Sequence, residues 1–364
     1  MAVVRGNDVQ EAARWLIEGR LVAFPTETVY GLGANARDEQ AIAAVYRAKG
    51  RPGNHPVIVH VADAAAVTAW AKTINELAQL LMKHFWPGPL TLILPRREGV
   101  SLHITGGQDT VAVRCPEHPV ALRLLQAFEQ LHGPGAGVIA PSANRFGQVS
   151  PTHADHVYDE FSDLTDEPIY LLEGGEARVG IESTIVDLSN PDAPPRILRP
   201  GHIQASDIQG VLGSTVLAAE PKAPATSDTT HSDVPRVSGS LKAHYAPRTP
   251  LYLFQRPELS MQIKNNQKKR VAIISCGDLD DTTLKEPLLQ NKCTVTSQDE
   301  QQQFYYEVLP AEPAQYASTL YATLRRLDRC GFDALWFERP PQSNAWAGVN
   351  DRLGRAAAAF SASD

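Results

Sequence analysis

The chain has 364 residues, 43% of them apolar, with 34 basic and 41 acidic side chains, a formal net charge of −7 and a pI near 5.9. That apolar content builds packed cores and excludes wholesale disorder, and the length predicts two domains rather than one. The acidic balance excludes a protein held to nucleic acid by a broad basic face, but it leaves room for a local basic pocket around a small anion.

The first predicted element is a helix from Asn7. Val9, Ala12, Ala13, Leu16 and Ile17 repeat at helical spacing, with Asn7 or Asp8 as the cap and Gly19 as the stop. LVAFP (21–25) reads as a strand, and a second helix runs from about Asp38 to Ala48 with Gly50 at its end. Strands follow at VIVHV (57–61), LTLIL (90–94), VAVR (111–114), GVIA (137–140), IYLLE (169–173) and STIVDL (183–188), with helical segments between several of them. The alternation predicts an α/β domain over residues 1–212. Residues 213–247, rich in Pro, Ala, Ser and Thr, read as a long linker. A second, smaller α/β unit is expected over 248–364, built on LYLF, VAIISCG and ALWFE with a helix near 314–329 and a terminal helix near 345–360.

Cys115, Cys276, Cys293 and Cys330 form no C-x-x-C pair and read as reduced thiols of a cytosolic protein. The start MAVVRGNDVQEAARWL lacks a signal-peptide core, and no apolar run nears the length of a membrane span, so a soluble, intracellular protein is expected.

Several motifs invite chemistry. GLGANA (31–36) matches the dinucleotide pattern G-x-G-x-x-A, but PTETVY separates it from its strand and no acid stands in residues 51–57, so it reads as a glycine-rich turn. No P-loop lysine motif and no G-x-S-x-G elbow occur. His153, His156 and Asp159 share a helix spacing, which reads as a solvated face because a metal site needs three or four converging ligands. His60 shares a strand face with Ile58 and reads equally as a buried histidine or a ligand group. Arg114 ends a strand, where it is either a surface residue or a fork for a carboxylate.

Four loops, PTET, KGRPGNHP, PSAN and EST, each supply hydroxyls, amides or a cation near strand ends of one α/β domain, where ligands bind. Lys49, Arg51, Arg114 and Arg199 supply enough charge for a nucleoside triphosphate beside an amino-acid carboxylate.

These segments, FPTETVYGLGANA, KGRPGNHPVIVHV, FWPGPLT, VAVRCPEHP, APSANRFGQVSPT, GIESTIVDL and ILRPG, resemble the successive motifs of the L-threonylcarbamoyladenylate synthases, the YrdC-like domain, over about residues 5–205. SGSLKAHYAPRTP, the second α/β unit and WAGVNDRLGRAA are similar to the longer, two-domain form. The resemblance implies a YrdC-like twisted open-sheet domain, a linker and a Rossmann-like C-terminal domain. It implies a nucleotidyltransferase that makes threonylcarbamoyl-AMP and pyrophosphate from L-threonine, bicarbonate and ATP, with Mg²⁺ on the phosphates. The product would pass to a tRNA threonylcarbamoyl transferase for the adenosine beside the anticodon, with at most weak tRNA contact and no membrane.

By motif matching, the K-x-R and S-x-N elements Lys49, Arg51, Ser142 and Asn144 are the catalytic set. Thr28, His60, Arg114, Ser183 and the Ala140 backbone would hold threonine. Arg51, His55, Thr110, Ser142, Ser150 and Arg199 would hold ATP, with Tyr245 of HYAP carried over the nucleotide as a lid. His55 departs from the Asn that many relatives carry before that proline. No protein metal ligand is expected. The competing readings are an RNA-binding module without chemistry, a carbamoyl transferase with another acceptor, and a structural partner of a tRNA-modifying complex.

Overall fold

The structure, a computed structural model, describes residues 3–217, 234–265, 270–277, 288–289 and 304–361. It divides into two compact units, Met1–Phe146 with Ser150–Ser240, and Gly147–Val149 with Leu241–Asp364. Of the expected linker, residues 218–233 lie outside the described residues.

In the first unit, strands β1 (Val3–Gly6), β2 (Leu21–Phe24), β3 (Gly31–Asn35), β4 (Ile58–His60), β5 (Leu90–Pro95), β6 (Thr110–Arg114), β7 (Val138–Ile139), β8 (Ile169–Leu172), β9 (Thr184–Asp187) and β10 (Arg196–Arg199) form one sheet. Its order is β1-β8-β2-β3-β7-β4-β6-β5-β9-β10, with parallel and antiparallel neighbours mixed. The helices are α1 (Val9–Ile17), α2 (Glu39–Lys49), α3 (Glu76–Phe85), α4 (Leu102–Thr105), α5 (Pro119–His132), α6 (Ala154–Phe161) and α7 (Ala205–Leu212). Their starts follow from capping: Asp8 accepts from the backbone N–H groups of Gln10 and Glu11, and Asp38 from those of Gln40 and Ala41. Helix α2 stops at Gly50, which takes the left-handed conformation with φ 62°.

Strand alternation sorts the side chains onto two faces. Leu21, Ala23, Val59, Leu92, Val111, Val113 and Val186 point to one face and join the large core with Ile42 and Val45 of α2, Leu81 of α3, Val157 and Phe161 of α6, and Ile208 of α7. On the other face, Val22, Phe24, Val138 and Tyr170 pack against Ala12 and Leu16 of α1 and Leu124 and Phe128 of α5. That second helical cover stops short of β6, β5 and β9. There the same face carries only a small cluster of Ile58, Ile93 and Ile185, closed by Val237.

GLGAN is a buried strand, not the glycine-rich turn the spacing predicts. Strand β3 pairs antiparallel with β2 and with β7. Its glycines answer a packing demand: a Cβ on Gly33 would stand 2.8 Å from the Phe24 ring and 3.0 Å from a Val138 methyl.

The second unit holds β11 (Leu251–Phe254), α8 (Arg256–Asn265), β12 (Val271–Cys276), β13 (Leu288–Leu289), β14 (Phe304–Leu309), α9 (Pro313–Asp328), β15 (Ala334–Glu338) and α10 (Ala347–Ala358). All strand pairs are parallel, in the order β11-β15-β12-β14-β13, which is the expected Rossmann-like α/β arrangement. Leu259, Ile263, Val271, Ile273 and Trp336 form its core. Arg256 donates to the Glu338 carboxylate at 2.7 Å across the carboxyl ends of β11 and β15. The three residues Gly147–Val149 belong to this unit through a bridge between Gln148 and Ala246, a hydrogen bond of 2.9 Å from Ala246 N to the Gly147 carbonyl, and the Arg325 guanidinium on the Val149 carbonyl.

Cys115 and Cys276 carry free thiols, whereas Cys330 is disulfide-bonded, against the expectation of four reduced cysteines; Cys293 lies outside the described residues. Among the described residues no helix is long and apolar enough to cross a membrane.

Two glycines test the packing in opposite directions. A Cβ on Gly137 would meet Val59 and Trp70 atoms at 2.6 Å, whereas one on Gly210, exposed inside α7, meets nothing within 4 Å. Gly137→Ala is expected to lower the stability of the first unit by about 1–3 kcal/mol through overpacking. Gly210→Ala is expected to raise it by about 1 kcal/mol through helix propensity. Denaturant midpoints that shift in the same direction for both would contradict the packing described.

Candidate active site

The alternation that buries Val111 and Val113 turns Thr110, Ala112 and Arg114 to the half-covered face. Likewise Val59 is core, so His60 stands with Ile58 on that face, and Thr91 stands with Ile93. His60 and Arg114 are direct register partners on neighbouring parallel strands, which sets their side chains side by side. Arg199 reaches the same face by a different device. Its neighbour Ile197 belongs to the core on the far side, and a register shift between the two residues turns Arg199 toward Ser183.

Arg114 is buried, with 4% of its side chain exposed, and is held at three points. Its Nε donates to the Gly88 carbonyl at 3.3 Å, Nη1 to Thr28 Oγ1 at 2.9 Å, and Nη2 to Glu27 Oε1 at 2.5 Å. The other Glu27 oxygen accepts from Glu117 N at 3.1 Å. Thr26 gives its hydroxyl proton to the Val29 carbonyl at 2.6 Å, so in the 2.9 Å contact between Thr26 and Thr28 the donor is Thr28. The expected open arginine fork is therefore already half engaged: of five N–H donors, two remain.

His60 is fully buried, and its Nδ1 has no hydrogen-bond partner. Burial first, and then the Arg114 charge, push its pKa down to about 3, so the imidazole is neutral. Phe24 meets the ring edge-on, with centroids 6.4 Å apart. The Ala140 N–H donates to the Ile58 carbonyl at 3.1 Å.

Toward the edge strands the face turns cationic. Ser183 Oγ lies 2.7 Å from Thr91 Oγ1 and accepts from Arg199 Nη2 at 3.0 Å, while Arg199 Nε holds the Ser183 carbonyl at 3.0 Å. Arg199 Nη1 donates to the Ser238 carbonyl at 3.1 Å, and Arg51 Nη2 reaches Ser238 Oγ at 3.4 Å and the Pro56 carbonyl at 2.8 Å. One serine thus lies between the two arginines assigned to ATP. The Arg51 guanidinium sits 5.6 Å from the Phe146 ring centre, and the His55 ring lies 5.2 Å from Phe146 on its own account. Burial, with the charges of Arg51 and Arg236, holds the His55 pKa below its ordinary value. Residues Arg236–Ser238 cover Ile58, Thr110, Ala112 and Ile185 and leave a cavity with room for about one water molecule. Gln108 and Arg236 fasten that segment with paired bonds of 2.7 and 3.1 Å.

Lys49, at the end of α2, is buried, and its ammonium donates to the carbonyls of Ser142 and Asn144. It therefore ties down the PSAN loop, whose Asn144 amide donates to the Arg145 carbonyl at 2.7 Å. Ser150 Oγ donates to Glu182 Oε1 at 2.5 Å. Tyr245 falls in the second unit, where it packs against the His244 and Tyr321 rings with the Arg352 guanidinium 5.4 Å from its centroid.

The face thus gathers Thr28, His60, Arg114 and Ser183, and joins them through Ser183 to Arg199 and Arg51. Four participants escape sequence reasoning: Glu27, Thr91, Phe146 and Ser238. Glu27 had a signal in its place between two threonines of PTET, and Thr91 in its alternation with Ile93. Ser238 opens the motif SGSLKAHYAPRTP, but that stretch reads as linker, so its place beside the arginines does not follow from the sequence. His153 caps α6 and His156 is half-buried beside Thr152; among the described residues no group of three or more His, Cys, Asp and Glu could hold a metal.

A family model described as Telomere recombination, covering the Sua5, YciO and YrdC proteins, matches residues 14–201. A second, described as Threonylcarbamoyl-AMP synthase, C-terminal domain, matches residues 203–358. The chain is 38% identical over 357 residues to the Threonylcarbamoyl-AMP synthase of Pyrococcus abyssi, covering 96% of this chain and 93% of that protein. It is 36% identical over 361 residues to the protein of the same name from Bacillus subtilis, covering 96% and 94%. The crystal structure of P. abyssi Sua5 complexed with L-threonine matches with a TM-score of 0.79 at 35% identity, over 99% of this chain and 98% of that one. A mixed sheet with one half-covered polar face, a separate parallel α/β unit and similarity along nearly the whole length lead to one assignment: the chain belongs to the threonylcarbamoyl-AMP synthase family, in its two-domain form.

Proposed function

We propose that the chain is a nucleotidyltransferase that forms threonylcarbamoyl-AMP and pyrophosphate from L-threonine, bicarbonate and ATP. The observation that carries this reading is the continuity of the half-covered face. A buried Arg114 with a neutral His60 lies at one end, Arg199 and Arg51 at the other, and Ser183 touches Arg199 between them. The first end suits an amino acid with a carboxylate and a hydroxyl, and the second suits phosphates.

In this reading the amine of threonine takes up carbon dioxide from bicarbonate and releases a proton, giving a carbamate. A carbamate oxygen attacks the α-phosphorus of ATP, the bond to the β,γ-phosphates breaks, and pyrophosphate departs with its electron pair. Such a displacement depends on alignment and charge stabilisation rather than on a covalent nucleophile. Arg114 takes the carboxylate, and neutral His60, Thr28 and the Ala140 carbonyl lie where the hydroxyl and amine would be read. Arg199, Arg51 and Ser150 face the phosphates, with Thr110 and His55 flanking them. Lys49 acts chiefly by holding Ser142 and Asn144 in place.

Both phosphate-side arginines now donate to Ser238, so ATP entry requires residues 236–238 to shift. Mg²⁺ would come with ATP and would offset phosphate charge, and we assign it no side chain. The product suits transfer to tRNA by a threonylcarbamoyl transferase in the cytoplasm.

The reading is tested by pyrophosphate release from the full chain, which should require ATP, threonine and bicarbonate together. Release indifferent to threonine, or activity with carbamoyl phosphate instead, would reject it. Arg51→Ala should lower the rate by about 10²–10³ without loss of fold. Lys49→Ala should lower both the rate and the melting temperature, because it strips two loop carbonyls of a charged donor. Because the folded-state pKa of His60, about 3, lies below its ordinary 6.5, the neutral ring carries no proton-linked penalty above pH 6.5. As pH falls from there toward 3 the unfolded chain takes up a proton that the folded chain refuses, so stability drops. A His60→Gln variant should lose less stability than the parent between pH 6.5 and 4, as read by denaturant titration at each pH. Parallel losses in the two proteins would mean that His60 is charged in the folded state.

A further inference from the structure

We propose that Glu27 is a positioning residue for substrate selection: it acts through Arg114 and sets the direction in which that guanidinium presents its two remaining N–H donors to the carboxylate of the amino acid. The proposal rests on the threonine reading of this pocket and deepens it.

The geometry argues for more than a buried ion pair. The carboxylate and the guanidinium are 3% and 4% exposed, so neither is screened by water. Glu27 is itself fixed twice, by Arg114 Nη2 at 2.5 Å and by Glu117 N at 3.1 Å, and its carbonyl accepts from Val179 N at 2.7 Å. The Arg114 side chain has long, flexible torsions, yet three partners from two different segments pin it: Glu27 and Thr28 from the loop after β2, and Gly88 from the turn before β5. Of these partners only Glu27 carries a charge, so its bond is the strongest of the three. A planar group held at Nε, Nη1 and Nη2 cannot swing, so each of its two unused hydrogens, one on Nη1 and one on Nη2, keeps a fixed direction. That preorganisation matters because His60 beside it is neutral and adds no charge for a carboxylate to find.

Glu27 also has a cost for the substrate, since its negative charge stands close to where a second carboxylate would bind. This gives the proposal a sign. If Glu27 only balanced charge, removing the charge would tighten threonine binding. If it positions Arg114, removing the charge loosens binding.

The test is calorimetry on the full chain with L-threonine and with L-threoninol, which replaces the carboxylate by a hydroxymethyl group, in the parent and in Glu27→Gln. The glutamine is isosteric, but it offers a single acceptor oxygen and turns N–H donors toward either Arg114 or Glu117. Threonine affinity is expected to fall by about 10–100-fold, the size of one hydrogen bond to a charged group. Threoninol and ATP affinities should hold, so the preference for threonine over threoninol collapses. An equal loss for both amino compounds would reduce Glu27 to a general structural role, and unchanged or tighter threonine binding would overturn the proposal outright. If Glu27→Gln does not fold, Glu27→Asp keeps the charge, withdraws it by one methylene, and is read by the same preference. A parent that binds no threonine removes the pocket reading and the proposal with it, whereas a parent that binds threonine beside variants that bind it equally well sinks the proposal alone.

Discussion

The structure depends on a sheet whose two faces are covered unequally. One face is sealed along its length by helices, and the other is sealed by α1 and α5 over only half. Because side chains alternate, each residue that strands β4, β6 and β5 commit to the sealed core forces its neighbours onto the open half. Val59 in the sealed core puts His60 on the half-covered face, and Val113 in the core does the same for Arg114. The hydrophobic pattern that drives folding and the polar pattern that makes the site are therefore one pattern, read at even and odd positions. A one-residue slip of β6 would bury Arg114 among the valines of the core and leave the open half without its carboxylate partner.

The open half is still largely dry. Its charges are placed with partners rather than left to water, as burial at this depth demands. Arg114 has Glu27, Arg199 has the carbonyl and hydroxyl of Ser183, and the Lys49 ammonium has two carbonyls. These internal acceptors hold each cation in a set direction. The Arg51–Arg199 end differs from the Arg114 end in one respect. Around Arg114 the partners belong to rigid turns next to β2 and β5, whereas between Arg51 and Arg199 the partner is Ser238, on a segment held by Gln108 and Val237.

Much of this was legible in the sequence. Period-two alternation placed the strands carrying His60 and Arg114, and Asp38 and Gly50 bounded α2, because capping and turn chemistry are local. GLGAN was misread because two glycines look like a turn when only the chain is seen; their purpose, making room for Phe24 and Val138, comes from residues far apart in sequence. The carbonyl partners of Lys49 lie more than ninety residues away in the chain, so its holding of the PSAN loop cannot be inferred from spacing. Glu27 was passed over for a related reason. An acid between two threonines resembles a solvated turn until Arg114 is brought to it by sheet pairing.

The placement of Gly147–Val149 with the second unit also has a consequence for dissecting the chain. That tripeptide interrupts a stretch whose flanks, from Asn144 to Ser150, carry groups of the polar face. A fragment ending at residue 240 would therefore not be a clean excision of one module. It would strand the Gly147 and Val149 carbonyls, which are hydrogen-bonded by Ala246 and Arg325, and release the middle of the serine-bearing loop from its moorings. The two units are interleaved along the polypeptide, so no single cut between consecutive residues separates one from the other.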